Sequence, residues 1–325
     1  MRYSYTHFLK TIFILALILV LIFALNACEI GEINSVKITF VQKEDGTINN
    51  TTSQSEPIHM SVTHANPALD NGYFDSEIKN RNLTLKSTEH SCNSIPVLVY
   101  HHILYNEEIP IEENEFVISV ENFEQQMKFL KDNKYIAITL SELERFIKGE
   151  IILPEKSVLI TFDDGYKSNC QYAYPIMKEF SLHGVIFLVS QWVQNCQQTF
   201  DPNMLQILDW SEIENSKDIF EYASHTHNLH FINSEKQSLL LSSPHKKIEE
   251  DLLKSKELLN TTSIAYPYGK YTEDTIQILK KLKFSMAFTV NDGDVKPNDD
   301  VYQLKRHTIY RSTTLEQFQK IIGME

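Results

Sequence analysis

Val158-Leu159-Ile160-Thr161-Phe162-Asp163-Asp164-Gly165-Tyr166 is the stretch on which the reading of this chain turns. A short apolar run of this kind, bounded by a turn signal, reads as a buried strand. It ends on two adjacent carboxylates, a costly arrangement unless a cation or a proton offsets their charges. Gly165 lets the backbone turn sharply as it leaves the strand. A helical pattern follows over Tyr166–Phe180. A bare Asp-Asp-Gly is a common turn; the apolar strand before it and the helix after it make it a functional candidate.

The same grammar runs outward in both directions. Strands are predicted over Val97–His101, Tyr135–Leu140, Ser157–Phe162, Gly184–Val189, Phe220–Ser224, Ser263–Tyr266, Ser285–Val290 and Tyr302–Ile309. Amphipathic helices are predicted between several of them, over Val120–Asp132, Glu142–Lys148, Lys246–Leu259 and Glu273–Leu282. Ser141 and Glu144 have the spacing of a capping box at the second helix. Strand–helix alternation implies parallel strands with helical crossovers. Seven or eight such units across 95–325 fit an α/β fold closed as a distorted TIM-like (β/α)7-8 barrel better than an open sheet. In such barrels the chemistry collects at the C-terminal ends of the strands.

Three more polar clusters fall at predicted strand ends. Ser224-His225-Thr226-His227-Asn228-Leu229-His230 brings together three of the chain's twelve histidines. Neutral imidazoles grouped at a strand end commonly hold a catalytic divalent metal, with a carboxylate as third ligand. His227 also fits a purely structural role. Ala265-Tyr266-Pro267-Tyr268-Gly269-Lys270 follows another apolar strand and by itself reads as an ordinary turn. Val97-Leu98-Val99-Tyr100-His101-His102 is a strand that ends in two histidines, by itself a structural feature.

The N-terminal end carries a different signal. Arg2 and Lys10 precede an unbroken apolar run from Ile12 to Leu25, and no acid appears before Glu29. That run is short for a membrane span and right for a secretory leader. It closes on Leu25-Asn26-Ala27-Cys28, which resembles a bacterial lipobox. Residues 1–27 are therefore read as a signal peptide, with Cys28 lipidated, and an uncleaved N-terminal anchor is the alternative. Either way the rest of the protein is expected outside the membrane, tethered at the extracellular face of a bacterial cell. Residues 28–94 are rich in Asn, Ser, Thr and acids and read as a polar spacer, with one alternating stretch at Val36–Val41.

Acids outnumber bases 43 to 30, for a formal charge of −13, and that balance argues against nucleic acid as a partner. Besides Cys28 the cysteines are Cys92, Cys170 and Cys196, with no Cys-x-x-Cys pair. A Cys170–Cys196 bridge is open to the chain in an oxidising compartment.

Taken in order, the four clusters resemble the NodB-type polysaccharide deacetylases, carbohydrate esterase family 4, over the NodB homology domain. Thr161-Phe162-Asp163-Asp164-Gly165 matches the first family motif. His225-Thr226 with His230 matches the second, with the histidines five apart instead of four. Tyr266-Pro267-Tyr268-Gly269 matches the third. A Tyr-His pair on the first barrel strand, ahead of the Asp-Asp motif, resembles the circularly permuted branch that includes the biofilm poly-N-acetylglucosamine deacetylases.

The resemblance implies roles. Asp164, His225 and His230 would bind Zn2+ or another divalent metal. Asp163 would be the general base, His101 (ahead of His102) the general acid, and the Tyr268 backbone N–H an oxyanion donor. The substrate would be an N-acetylated polysaccharide, poly-N-acetylglucosamine first; peptidoglycan and chitin oligomers call for the same catalytic residues. A non-catalytic carbohydrate-binding surface protein would be expected to have lost a base or a ligand, and all four of Asp163, Asp164, His225 and His230 are present. The arginine usual in the third motif is Ala265 here, so the usual partner that orients the base is missing, and Arg306 on the last predicted strand is a candidate substitute. Substrate choice is expected in loops such as Gln191–Ser211, where Trp210 is either a sugar-stacking or a core residue.

Overall fold

A computed structural model of the chain describes residues 91–110 and 115–324. The leader, Cys28, the 36–41 stretch and most of the spacer lie outside the described residues. The strands are β1 (Val97–Tyr100), β2 (His102–Leu104), β3 (Val117–Ser119), β4 (Ile136–Ala137), β5 (Ser157–Phe162), β6 (Gly184–Leu188), β7 (Phe220–Ser224), β8 (Ser263–Ala265), β9 (Met286–Phe288) and β10 (His307–Thr308). The helices are α1 (Val120–Asp132), α2 (Leu140–Ile147), α3 (Tyr174–Phe180), α4 (Trp210–Asn215), α5 (Leu239–Ser242), α6 (His245–Leu259), α7 (Glu273–Lys281) and α8 (Leu315–Ile321). The main sheet runs β10-β1-β5-β6-β7-β8-β9, parallel at every pairing. A parallel bridge between Phe288 and Leu304 joins β9 to the segment that leads into β10 and brings the curled sheet back on itself.

Strand alternation sorts the side chains into two layers. Leu98, Tyr100, Val158, Ile160, Phe162, Ile186, Leu188 and Tyr222 pack in one cluster with Phe123, Met127 and Leu130 of α1. Val97, Leu159, Val185, Phe187, Ala223, Ala265, Met286 and Phe288 fill the barrel interior. Both faces of β5 are covered, which is why its sequence is a continuous apolar run rather than an alternating one. The same parity, carried past the last residue of each strand, sends Asp163 and His225 inward over the barrel mouth. On β1 it gives His101 the parity of Val97 and His102 that of Tyr100.

Several boundaries differ from the sequence reading. Tyr135–Leu140 contributes only β4, which pairs with β5 beside the main path. Tyr302–Ile309 reduces to β10. The cap of α2 is Thr139, whose hydroxyl accepts from Glu142 N while the Glu142 carboxylate accepts from Thr139 N, so the capping box lies two residues before Ser141. The helix read over Tyr166–Phe180 is split: Asn169–Ala173 forms a wide π-type turn, and only α3 is regular. Pro175 has no N–H to donate, so the helical ladder has to restart around it. The β2–β3 pair was not anticipated, its strands being only three residues each. Cys170 is a free thiol, 3.4 Å from Ser216 Oγ, and forms no bridge to Cys196.

Candidate active site

Asp164, His225 and His230 stand together at the ends of β5 and β7, their ligand atoms all within 4.8 Å of one another. His225 Nε2 is 3.6 Å and His230 Nε2 3.3 Å from Asp164 Oδ1. The His225 Nδ1–H donates to Ala265 O at 2.8 Å, which fixes the tautomer and leaves Nε2 with its lone pair free. Burial pushes His225 down to about 4, so the imidazole is neutral at physiological pH. Asp164 Oδ1 is buried with no hydrogen-bond partner. A buried carboxylate oxygen left bare between two imidazole nitrogens is expensive unless something positive joins them. This donor set suits a divalent cation such as zinc.

Asp163 looks the other way. Arg306, fully buried, holds it in a two-pronged pair, Nη1 to Oδ1 at 2.8 Å and Nη2 to Oδ2 at 2.7 Å. Arg306 Nε donates to Thr289 O at 2.8 Å, and the guanidinium lies over the Phe187 ring at 5.5 Å. Burial alone would raise the Asp163 pKa; the Arg306 charge and hydrogen bonds, with His225 and His101, outweigh it and hold the carboxyl below the usual range. Arg306 thus orients the carboxylate that lacks its usual arginine at Ala265.

All three strand-end loops turn through the left-handed region at a residue other than glycine: Asp164 at φ 72°, Thr226 at φ 76° and Tyr268 at φ 59°. Such residues cost about 1–3 kcal/mol each and persist only where the surroundings hold them. At Thr226 the holding groups are visible. Its N–H donates to Ser224 Oγ, its hydroxyl accepts from Leu229 N, and its carbonyl accepts from Ser190 N. The bend there accommodates the five-residue spacing between the two histidines. Gly269 must be glycine, because a Cβ would sit 2.3 Å from Val290 Cγ2 and 3.0 Å from Val290 N.

A cavity of about 660 Å³ opens over these groups. It is lined by Asp163, Asp164, His225 and His230, and by His101 and Tyr268 at its sides. His101 Nδ1 is buried and without a partner, whereas His102 Nδ1 lies 2.7 Å from Ser168 Oγ and its ring stacks on Tyr166. The Tyr268 ring covers His230 at 4.4 Å. His227 is not part of the ligand cluster; its Nδ1 is 2.9 Å from Ser190 Oγ. Pro202 to Leu205 of the Gln191–Ser211 loop line the cavity, but Trp210 opens α4 and packs on the helix-facing core.

Sequence reasoning missed Asp251 of α6. Its carboxylate accepts from His227 N at 2.8 Å and Asn228 N at 2.7 Å and so clamps the loop between the two histidines. An acid on a charged helix gives no signal of this, since only the packing of α6 against β7 brings it to the loop.

The polysaccharide deacetylase family model matches residues 151–287, a span that holds both carboxylates, both histidines and Tyr268. The poly-beta-1,6-N-acetyl-D-glucosamine N-deacetylase of Staphylococcus aureus (strain MSSA476) is 27% identical over 236 residues, 68% of this chain and 80% of that protein. Among solved structures, IcaB from Ammonifex degensii superposes with a TM-score of 0.60 at 27% identity, covering 72% of this chain and 97% of that one. The Streptococcus pyogenes deacetylase PplD has the same fold, with a TM-score of 0.61 at 23% identity over 71% of this chain and 98% of its own. With barrel, motifs and relatives in agreement, residues 151–287 of the chain carry a polysaccharide deacetylase domain.

Proposed function

We propose that this enzyme hydrolyses the N-acetyl groups of an extracellular poly-N-acetylglucosamine, with a divalent metal held by Asp164, His225 and His230. The observation that carries the metal dependence is the unpartnered Asp164 Oδ1 beside two Nε2 atoms. The choice of polymer is supported by the staphylococcal relative. A cation bound there would lower the pKa of water and polarise the acetyl carbonyl.

The chain's own groups supply the rest. Asp163, kept ionised by Arg306, accepts a proton from the attacking water. Its low proton affinity makes it a weak base by itself, so its value lies in being charged and fixed in place. His101 donates a proton to the departing nitrogen, so the amide C–N bond breaks to give acetate and a free amine. The N–H of Tyr268 faces the carbonyl oxygen as charge builds on it, a contribution of about 3 kcal/mol where such donors have been removed.

Acetate release from poly-β-1,6-N-acetylglucosamine, chitin oligomers and peptidoglycan, each with and without a chelator, tests this reading. The first polymer should be the best substrate, and chelation should abolish activity until metal is restored. Full activity in a metal-free sample would refute the metal assignment, and preference for peptidoglycan would refute the substrate. We also assign the enzyme to the outer face of the membrane through a lipidated Cys28, on the strength of the Ile12–Leu25 run and the cysteine behind it. Among the described residues no helix is long and apolar enough to cross a membrane. Labelled fatty acid should be found on the wild type and be absent from Cys28→Ser.

A further inference from the structure

Six of the eleven exposed large apolar side chains among the described residues line the cavity. Scattered exposed apolar groups are ordinary, but a contiguous set around a concave site marks a binding surface. Two of the six form one wall. The Phe116 ring lies 5.0 Å from His101, and the Tyr310 ring lies 5.7 Å farther along from Phe116. They are 43% and 42% exposed.

We propose that Phe116 and Tyr310 form a stacking platform for a sugar ring next to the one whose acetamide is cut, so that the enzyme prefers oligomers to single sugars. The proposal rests on the deacetylase reading and adds a specificity-determining pair to it. A pyranose ring has an apolar C–H face and a hydroxyl edge, which suits an aromatic face with a phenol beside it. The platform is built before any ligand arrives. Arg311 N donates to Glu115 O at 2.7 Å, Ser312 N to Glu115 Oε2 at 3.2 Å, and Tyr310 N to Thr313 Oγ1 at 2.9 Å. Phe116 directly precedes β3, which pairs with β2 just after His101, so the platform is registered to the reacting centre. The wall belongs to a concave cavity that a narrow polymer enters more readily than a flat protein surface does.

The full-length chain and its Phe116→Ala, Tyr310→Ala and Tyr310→Trp variants should be compared on a β-1,6-linked N-acetylglucosamine pentamer and on the monosaccharide. Tyr105→Ala, an exposed tyrosine outside the cavity, is the control. Each alanine variant should lower the pentamer-to-monomer ratio of kcat/KM about tenfold, mainly through KM, and weaken pentamer binding in calorimetry by a similar factor. Tyr310→Trp should restore the ratio, and Tyr105→Ala should leave it alone. Should Phe116→Ala fail to fold, the half-exposed Tyr310 carries the test. A ratio and a pentamer affinity unchanged in Tyr310→Ala overturn the platform. If the wild type releases no acetate from any substrate yet binds the pentamer more tightly than Tyr310→Ala does, the platform stands and the deacetylase reading falls. If the wild type neither cuts nor binds the pentamer, both fall.

Discussion

Asp163 and Asp164 have the same side chain and share a peptide bond, yet the backbone gives them opposite surroundings. Asp163 keeps the inward parity of β5 and meets Arg306; Asp164, turned at φ 72°, meets His225 and His230. Their variants should therefore fail differently. Asp163→Asn preserves shape but cannot take a proton, so it should retain metal and lose roughly 10²–10⁴ in kcat. Asp164→Asn should lose metal affinity and recover part of its activity in excess metal. Metal content and kcat measured on both under matched conditions decide the matter, and an empty site in Asp163→Asn with a full one in Asp164→Asn would reverse the roles. Arg306 belongs to the same scale. Breaking a buried pair by removing one partner costs about 3–5 kcal/mol, because it leaves the other charge uncompensated.

At the scale of the element, the site is made of strand ends that stop and loops that are clamped. Helix α6 lies behind β7, where Ser255 Oγ meets Ser224 Oγ at 2.7 Å and Asp251 takes the N–H groups of His227 and Asn228. Neither contact involves Asp164, His225 or His230 themselves. They act by holding a loop that would otherwise relax from the strained turn at Thr226. Asp251→Asn should accordingly weaken metal affinity about 10–100-fold, as loss of an outer support to a ligand typically does. The check is a metal-binding titration beside a melting curve. Unaltered metal affinity in a folded variant would reduce Asp251 to a helix ornament with no bearing on the site.

The whole barrel depends on how β10 closes it. His307 of β10 pairs through Nδ1 with Asp292 and through Nε2 with Asp294, each at 2.8 Å. Asp294 in turn accepts from Ser94 Oγ at 2.6 Å, next to the Ile95–Val295 bridge. One imidazolium thus ties the lead-in to β1, the loop after β9 and β10. The hydrogen bond to Asp294 is the main cause that raises the His307 pKa, against the opposing effect of burial, with Asp292 adding to it. A raised folded-state pKa means that the stabilisation is complete below the unfolded value of about 6.5 and is lost as pH climbs through the folded one. His307→Gln should cost about 1–2 kcal/mol at pH 5.5, with Asp292 adding little because it is exposed. Denaturant unfolding of both proteins across pH should show that deficit shrinking toward pH 9, and a deficit that grew with pH would sink the clasp.

The grouping of Asp164 with His225 and His230 was implied by the family resemblance, and the barrel class and the four polar clusters were legible in the sequence. Each is announced by a local pattern, an apolar strand followed by a turn with distinctive side chains, and parallel strands place such turns at one end. The short pieces were not legible. A three-residue strand such as β2, or the two-residue β4, is too brief for periodicity to register, and the split before α3 hangs on a single proline. Contacts across the mouth were beyond the sequence altogether. Arg306 reaches Asp163 across 143 positions, and Phe116 meets Tyr310 only because β3 and the turn after β10 come to the same rim. The sequence by itself determined which polar residues come to the strand ends, since strand, turn and helix are fixed by neighbours a few positions away. Only the tertiary structure decided which partner holds each of them, because that depends on the curl and closure of the sheet, and no local period encodes where two strand ends will meet.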